Sequence, residues 1–403
     1  MATAGVSRRA SIPVGIVFSI TGSYRTVGQE MLNGALLAVE EVNRDPAFDF
    51  KFDPAIVDPG GEPTAYRTLC EELLRGRSMR HVIGCYTSSS RKEVIPAFEK
   101  FDALLWYPSH YEGFESSNNV IYTGASPNQH IIPLLRYMLR ECGRRVYCVG
   151  SNYIWAWENN RILREIVQGC GGTVLAEKYL PVGVTDVDRI IAEIRAARPD
   201  FVFNTLIGES SYAFYRAYAR AGAEDRALGL TRIPVTSCSL SEPELVSIGP
   251  EAAAGHIASS VYFQNIDRPC NRAFVDSYRA RFGAAKVTSA DAEASYVAII
   301  LLASAIREAS STDIEQVKTA LYRCSLDAPQ GRVWVDPESN HSYLTPALGL
   351  SRADGQFDPI WISREPERPD PYLVWFDVND LANDLGVSGD NGRRRRHLRV
   401  VPT

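Results

Sequence analysis

Short apolar runs alternate along this chain with longer segments in which apolar residues recur every three to four positions. The first pattern suits strands buried on both faces; the second suits helices with one buried side. Strands are predicted over 14–19, 52–58, 81–85 and 103–107, with helices over 29–43, 62–77 and 90–100 between them. The series then restarts. A helix over 131–141 leads into strands over 145–150, 174–179, 201–205 and 233–237, with helices over 157–168, 187–197 and 212–221. Such alternation means βαβ units and parallel sheets covered by helices. Three helices are expected over 270–281, 290–309 and 312–322. The section 331–375 changes to Val, Trp, Tyr and Pro with turn dipeptides, and reads as β-hairpins that cap one lobe. The pattern therefore predicts an α/β protein with two doubly wound lobes. The expected division is 12–125 with 262–326 against 126–261 with 327–383, and 1–11 and 384–403 are expected as flexible tails.

Composition narrows the function classes more than it identifies one. The chain has 403 residues, enough for two cores of ordinary size. With 43 Lys and Arg against 48 Asp and Glu, the formal net charge is −5, which gives no argument for nucleic acid or an anionic membrane as partner. The one basic cluster, Arg393 to Arg396, stands in the C-terminal tail and reads as a solvated terminus. No apolar run approaches the roughly 18–20 residues that span a bilayer. The start of the chain lacks the apolar stretch of a secretion signal, so as written it reads as cytoplasmic; a chain whose leader had been removed would read the same, and would be periplasmic. The eight cysteines form no CxxC pair and the six histidines no metal spacing. Reduced, structural thiols and no metal or cofactor are the expectation.

Ligands of open α/β sheets sit outside the carboxyl ends of the strands, which directs attention to particular loops. The run Thr87-Ser-Ser-Ser90 opens a helix, where free backbone N–H groups attract an acceptor atom; simple N-capping would need only one of the four hydroxyls. The loops from Trp106 to Gly113 and from Ser151 to Trp157 place Tyr107, Tyr111, Tyr153, Trp155 and Trp157 at strand ends. Rings gathered at a crevice make a small, dry box with polar rims, or they make ordinary packing between lobes. Glu209 could orient an amide N–H₂ or a cation, or serve as an acid in the first turn of a helix. No nucleophile elbow, phosphate loop or dinucleotide motif occurs, so an enzyme is not expected.

Several stretches carry a resemblance. They are Asn33-Gly-Ala-Leu-Leu-Ala-Val-Glu40, Gly84-Cys-Tyr86, Arg91-Lys92, Tyr111-Glu-Gly-Phe-Glu115, Ala125-Ser-Pro-Asn-Gln129, Asp327-Ala-Pro-Gln-Gly331, Asn340-His-Ser342 and Pro366-Glu-Arg-Pro-Asp-Pro-Tyr372. With them the chain resembles the type I periplasmic binding proteins: two Rossmann-like lobes joined by a hinge of three crossovers. Within that family it is similar to the amide-sensing negative regulators of aliphatic amidase operons and to the urea and short-chain amide binding proteins of ABC transporters. The resemblance implies a small neutral amide or urea-like ligand between the lobes. It puts pocket positions at Tyr86, Ser88, Tyr107, Ser109, His110, Tyr153 and Trp155. Three of these depart from the amide regulators, which have Thr at Ser109, Pro at His110 and Tyr at Trp155, so the box changes in volume and polarity. The partner implied is an RNA-binding antiterminator for a regulator, or a permease for a transport protein; a homo-oligomer is also compatible with it.

Overall fold

A computed structural model describes residues 9–76, 79–225 and 232–386. The first half runs β1 (Ala10–Val17), α1 (Arg25–Arg44), β2 (Phe50–Val57), α2 (Pro63–Gly76), β3 (His81–Gly84), α3 (Ser88–Phe101), β4 (Leu104–Tyr107) and β5 (Val120–Tyr122). These strands form a parallel sheet in the order β2-β1-β3-β4-β5. The chain then crosses over. It continues through α4 (Pro127–Glu141), β6 (Arg145–Ser151), α5 (Ile154–Gly169), β7 (Thr173–Leu180), α6 (Asp188–Ala197), β8 (Phe201–Thr205), α7 (Gly208–Glu224), β9 (Val235–Ser237), α8 (Glu242–Ile248), α9 (Pro250–Ala253) and β10 (Ile257–Ser260). A second crossing brings α10 (Pro269–Phe282), α11 (Ala290–Ala309) and α12 (Ile314–Leu321) back to the first sheet, where α11 packs along α1.

The parallel part of the second sheet runs β7-β6-β8-β9-β10, the same order of connection as the first. In both sheets the winding reverses beside the first strand of the unit, between β1 and β3 and between β6 and β8. Loops leave such a point in opposite directions and open a crevice there. The apolar runs behave as their composition demands. All four residues of β3 and of β4 are buried, because helices cover both faces.

The C-terminal section pairs as antiparallel hairpins and joins one of them to a sheet. It forms β11 (Leu326–Ala328), β12 (Gly331–Val335) and β13 (Ser342–Tyr343) as a small separate sheet. It then adds β14 (Ala347–Ser351) antiparallel to β10 and β15 (Phe357–Ile362) antiparallel to β14, which extends the second sheet to seven strands. The reason is register: Ala347 to Gly349 are buried, so this strand needs a sheet neighbour on its β10 side as well as its hairpin mate. The chain ends its described part with α13 (Val378–Asp384). Strand β1 starts at Ala10 and α13 reaches Asp384, so ordered structure enters both segments read as tails. The rest of those segments, including Arg393 to Arg396, lies outside the described residues.

The family-specific stretches near the C-terminus fasten the crossovers. His341 stacks on Tyr122 with ring centroids 4.0 Å apart and accepts from the Tyr111 hydroxyl at 2.5 Å. Gln129 Nε2 donates to the carbonyls of Ser342 at 3.0 Å and Glu367 at 2.9 Å. Asp370 takes the backbone N–H of Trp375 at 2.8 Å, and its own N–H goes to Asn128 Oδ1 at 2.7 Å.

Candidate functional site

The two halves meet at the carboxyl ends of their strands. Thr87 caps α3, its hydroxyl accepting from Ser90 N at 3.2 Å, while Ser90 Oγ donates back to the Thr87 carbonyl at 2.7 Å. Of the four hydroxyls in that run, two are therefore spent on the helix. Ser88 instead donates to Glu112. Glu112 accepts from Arg91 Nη2 at 3.1 Å, and Arg91 Nε reaches Glu115 at 2.7 Å, which Lys92 also binds at 2.7 Å. The Arg91 guanidinium lies 4.6 Å from the ring centroids of both Tyr107 and Tyr111. Two cations and two carboxylates thus cancel under the floor of the cleft. Burial pulls the Glu115 carboxyl up, but Arg91 and Lys92 override it and hold it at about 2.

Above this floor is a small chamber of about 10 Å³ lined by Tyr86, Thr87, Ser88, Ser109, His110, Tyr153, Trp155, Ile207 and Ser239. Tyr153 stacks on Trp155 at 6.2 Å, and His110 meets the Trp155 ring edge-on at 5.3 Å. The Trp155 Nε1–H is buried and has no acceptor among the described residues. Burial, with His130 adjacent, pushes the His110 imidazole down to about 3, so the ring is neutral. Burial likewise raises the carboxyls of Asp291 to about 7 and of Glu244 to about 8. Asp291 receives the Ser109 hydroxyl at 3.4 Å, and Glu244 receives the N–H of Ser241 at 3.1 Å.

Contacts across the cleft close it. Arg25 in α1 pairs with Glu209 in α7 at 3.4 Å. Gly208, at φ +58°, lies so close to the backbone of Ser23 that a Cβ would stand 2.2 Å from its carbonyl oxygen.

Six of the eight residues expected at the site line the chamber: Tyr86, Ser88, Ser109, His110, Tyr153 and Trp155. Tyr107 does not. Its ring is buried under the loop beside Arg91, and its hydroxyl donates to the Tyr86 carbonyl at 2.8 Å, so it supports the wall from behind. Glu209 does not either; α7 carries it outward to Arg25 at the rim, where it is part exposed. Of the other rings expected in a box, Tyr111 is buried against Tyr122 and His341. Trp157 is 45% exposed because α5 starts at Ile154 and turns it away from Trp155. Thr87, Ile207 and Ser239 complete the lining. Thr87 stood in the run already singled out, while Ile207 and Ser239 carry no chemical signature beyond their place after a strand.

Among the described residues no cluster of His, Cys, Asp and Glu could hold a metal ion, and no helix is long and apolar enough to cross a membrane. The chain matches a Leu/Ile/Val-binding protein of Rhizobium johnstonii at 23% identity over 318 residues, 77% of this chain and 83% of that one. A local match to a limonene hydroxylase of Geobacillus stearothermophilus has 35% identity over 138 residues, 34% of this chain and a quarter of the length of that protein. The fold is shared with a solute binding protein of an ABC transporter from Rhodopseudomonas palustris HaA2, solved with p-hydroxybenzoic acid. That similarity has a TM-score of 0.78 and 21% identity, and covers 90% of this chain and 99% of that one. The periplasmic binding protein domain matches residues 12–377, from the first strand almost to the last helix, and the chain belongs to that family.

Proposed function

We propose that this protein is the solute-binding component of an ABC-type importer, and that it closes on a small neutral amide or urea-like compound. The carrying observation is the buried Trp155 Nε1–H, which belongs to a ring lining the chamber and has no acceptor among the described residues. A carbonyl oxygen would satisfy it. Charge supports a neutral guest over a carboxylate. The Arg91 charge is already matched by Glu112 and Glu115, so the floor offers a carboxylate no unmatched cation. Binding between lobes with the boundaries expected from the sequence would favour the closed form by its greater affinity for that form. A permease that recognises the closed form would follow from that. The reading places the protein outside the cytoplasmic membrane, which fractionation of the native host would check.

The family relatives bind Leu, Ile and Val in one case and p-hydroxybenzoic acid in another, so a thermal-shift panel decides the ligand class. Acetamide, butyramide and urea should stabilise the protein. Stabilisation by isoleucine or p-hydroxybenzoate alone would refute the neutral-ligand reading, and ammonia release from any amide would refute a binding role. A second reading rests on the stretches 327–331, 340–342 and 366–372, which resemble the amide regulators. It predicts amide-dependent release of an RNA-binding antiterminator, measurable by gel filtration of the mixture.

A further inference from the structure

The imidazole of His110 packs on two rings, yet its polar atoms are left over. It meets Trp155 edge-on in the chamber wall at 5.3 Å and His130 at 5.7 Å, and neither of its ring nitrogens makes a hydrogen bond among the described residues. Elsewhere on the wall, Ser88 and Ser109 give their hydroxyl hydrogens to Glu112 and Asp291. The Trp155 Nε1–H is a donor with no acceptor among the described residues. Behind His110 lies a small pocket of about 20 Å³, room for one water, lined by His130, Ser259 and Asp291 among others. His130 sets the direction of hydrogen bonding there. Its Nε2–H donates to the Tyr111 carbonyl at 2.9 Å, which leaves Nδ1 as an acceptor, and that atom is buried without a partner among the described residues. An acceptor on that side favours the tautomer of His110 whose N–H is turned toward the pocket. In a neutral imidazole the other nitrogen is then an acceptor.

We propose that His110 recognises the nitrogen of the ligand: its free ring nitrogen accepts a hydrogen bond from the amide N–H₂ of a molecule whose carbonyl oxygen meets the Trp155 N–H. The inference rests on the chamber being the ligand site. An acceptor and a donor on two touching rings match the donor and the acceptor that a primary amide or a urea carries on one carbon. A ketone satisfies only one of the two. A carboxylate presents lone pairs to both, and a lone pair set against the imidazole nitrogen leaves two acceptors unpaired, the kind of mismatch by which polar sites reject close analogues.

Calorimetry with acetamide and with acetone, in which a methyl group replaces the N–H₂, tests this. The native protein should prefer acetamide. The preference should fall about fivefold, the effect of one hydrogen bond, in H110F, which keeps a ring against Trp155 and loses both nitrogens. W155F should weaken both ligands and leave the preference in place, a split that a merely structural role of His110 would not produce. If H110F does not fold, nitrogen-15 spectra of the histidines in the native chain read the same contact: acetamide should shift the unprotonated nitrogen of His110, and acetone should not. No preference in the native protein, a preference that survives in H110F, or a His110 nitrogen that acetamide leaves unmoved would overturn the role of His110 and leave the chamber as the ligand site. Binding of neither compound to the native protein would overturn the neutral-amide reading as well.

Discussion

Replacing Trp155 by Phe should weaken ligand binding and leave the unliganded fold close to its present stability. The indole N–H is buried without an acceptor among the described residues, a situation that costs about 1–3 kcal/mol. Deleting it recovers that amount. The smaller ring loses contact with Tyr153 and His110, a loss of about 1–2 kcal/mol at ~25 cal/mol per Å² of buried surface. The two terms oppose each other, so the unliganded midpoint in urea should shift little. With ligand bound the balance differs, because the donor then meets a carbonyl. Losing one hydrogen bond in a dry site costs about 1–2 kcal/mol, or a rise of about five- to thirtyfold in Kd. Calorimetry with the best amide of the panel measures the second effect, and urea unfolding without ligand measures the first. An unchanged Kd would refute the assignment of Trp155. A fall of more than about 3 kcal/mol in unliganded stability would show that the ring is a structural pillar instead.

Other perturbations separate the floor, the rim and the titrating groups. Arg91→Met should destabilise the protein by about 3–5 kcal/mol in urea unfolding, because Glu112 would keep its buried charge with only Lys92 at 3.9 Å to offset it. Gly208→Ala should lower the unliganded melting temperature, because φ +58° strains any side chain, and should also weaken ligand binding, because the new Cβ collides with Ser23 of the opposite half; small-angle scattering should show a more open molecule. The carboxyls of Glu242, Glu244, Asp291 and Glu293 are raised by burial, to about 8, 8, 7 and 7. The imidazoles of His81, His110, His130, His256 and His341, lowered by burial to about 3 or 4, act in the opposite sense up to the ordinary imidazole value; above it the carboxyls act alone, so stability should fall as pH rises from about 6.5 to 8, with each group contributing up to about 1.4 kcal/mol per unit. Glu115 acts in the opposite sense: its stabilisation is present above the ordinary carboxylate value and is lost as pH falls toward about 2. A flat or rising melting temperature between about pH 6.5 and 8 would contradict the protonated acids.

Several features were decided by the chain alone. Parallel strands covered on both faces must be apolar throughout, so β3, β4 and β8 announce themselves, and Phe201–Thr205 coincides with its expected span. The loops that follow such strands are forced to one end of a sheet, which is why Ser88, Tyr153 and Trp155 could be named before any coordinates, while Tyr86, Ser109 and His110 were named through the family resemblance. Direction was the missing quantity. Whether Tyr107 faces the guest or Arg91 depends on which side of a buried strand it leaves, and Trp157 turns away from Trp155 because a helix begins one residue earlier than Trp155. The place of Glu209 depends on where α1 of the opposite half puts Arg25. The same limit hid the small pocket behind His110. Asp291 and His130, which line it, are about 160 residues apart, on helices that meet only in the folded chain, and nothing local in a sequence encodes that meeting.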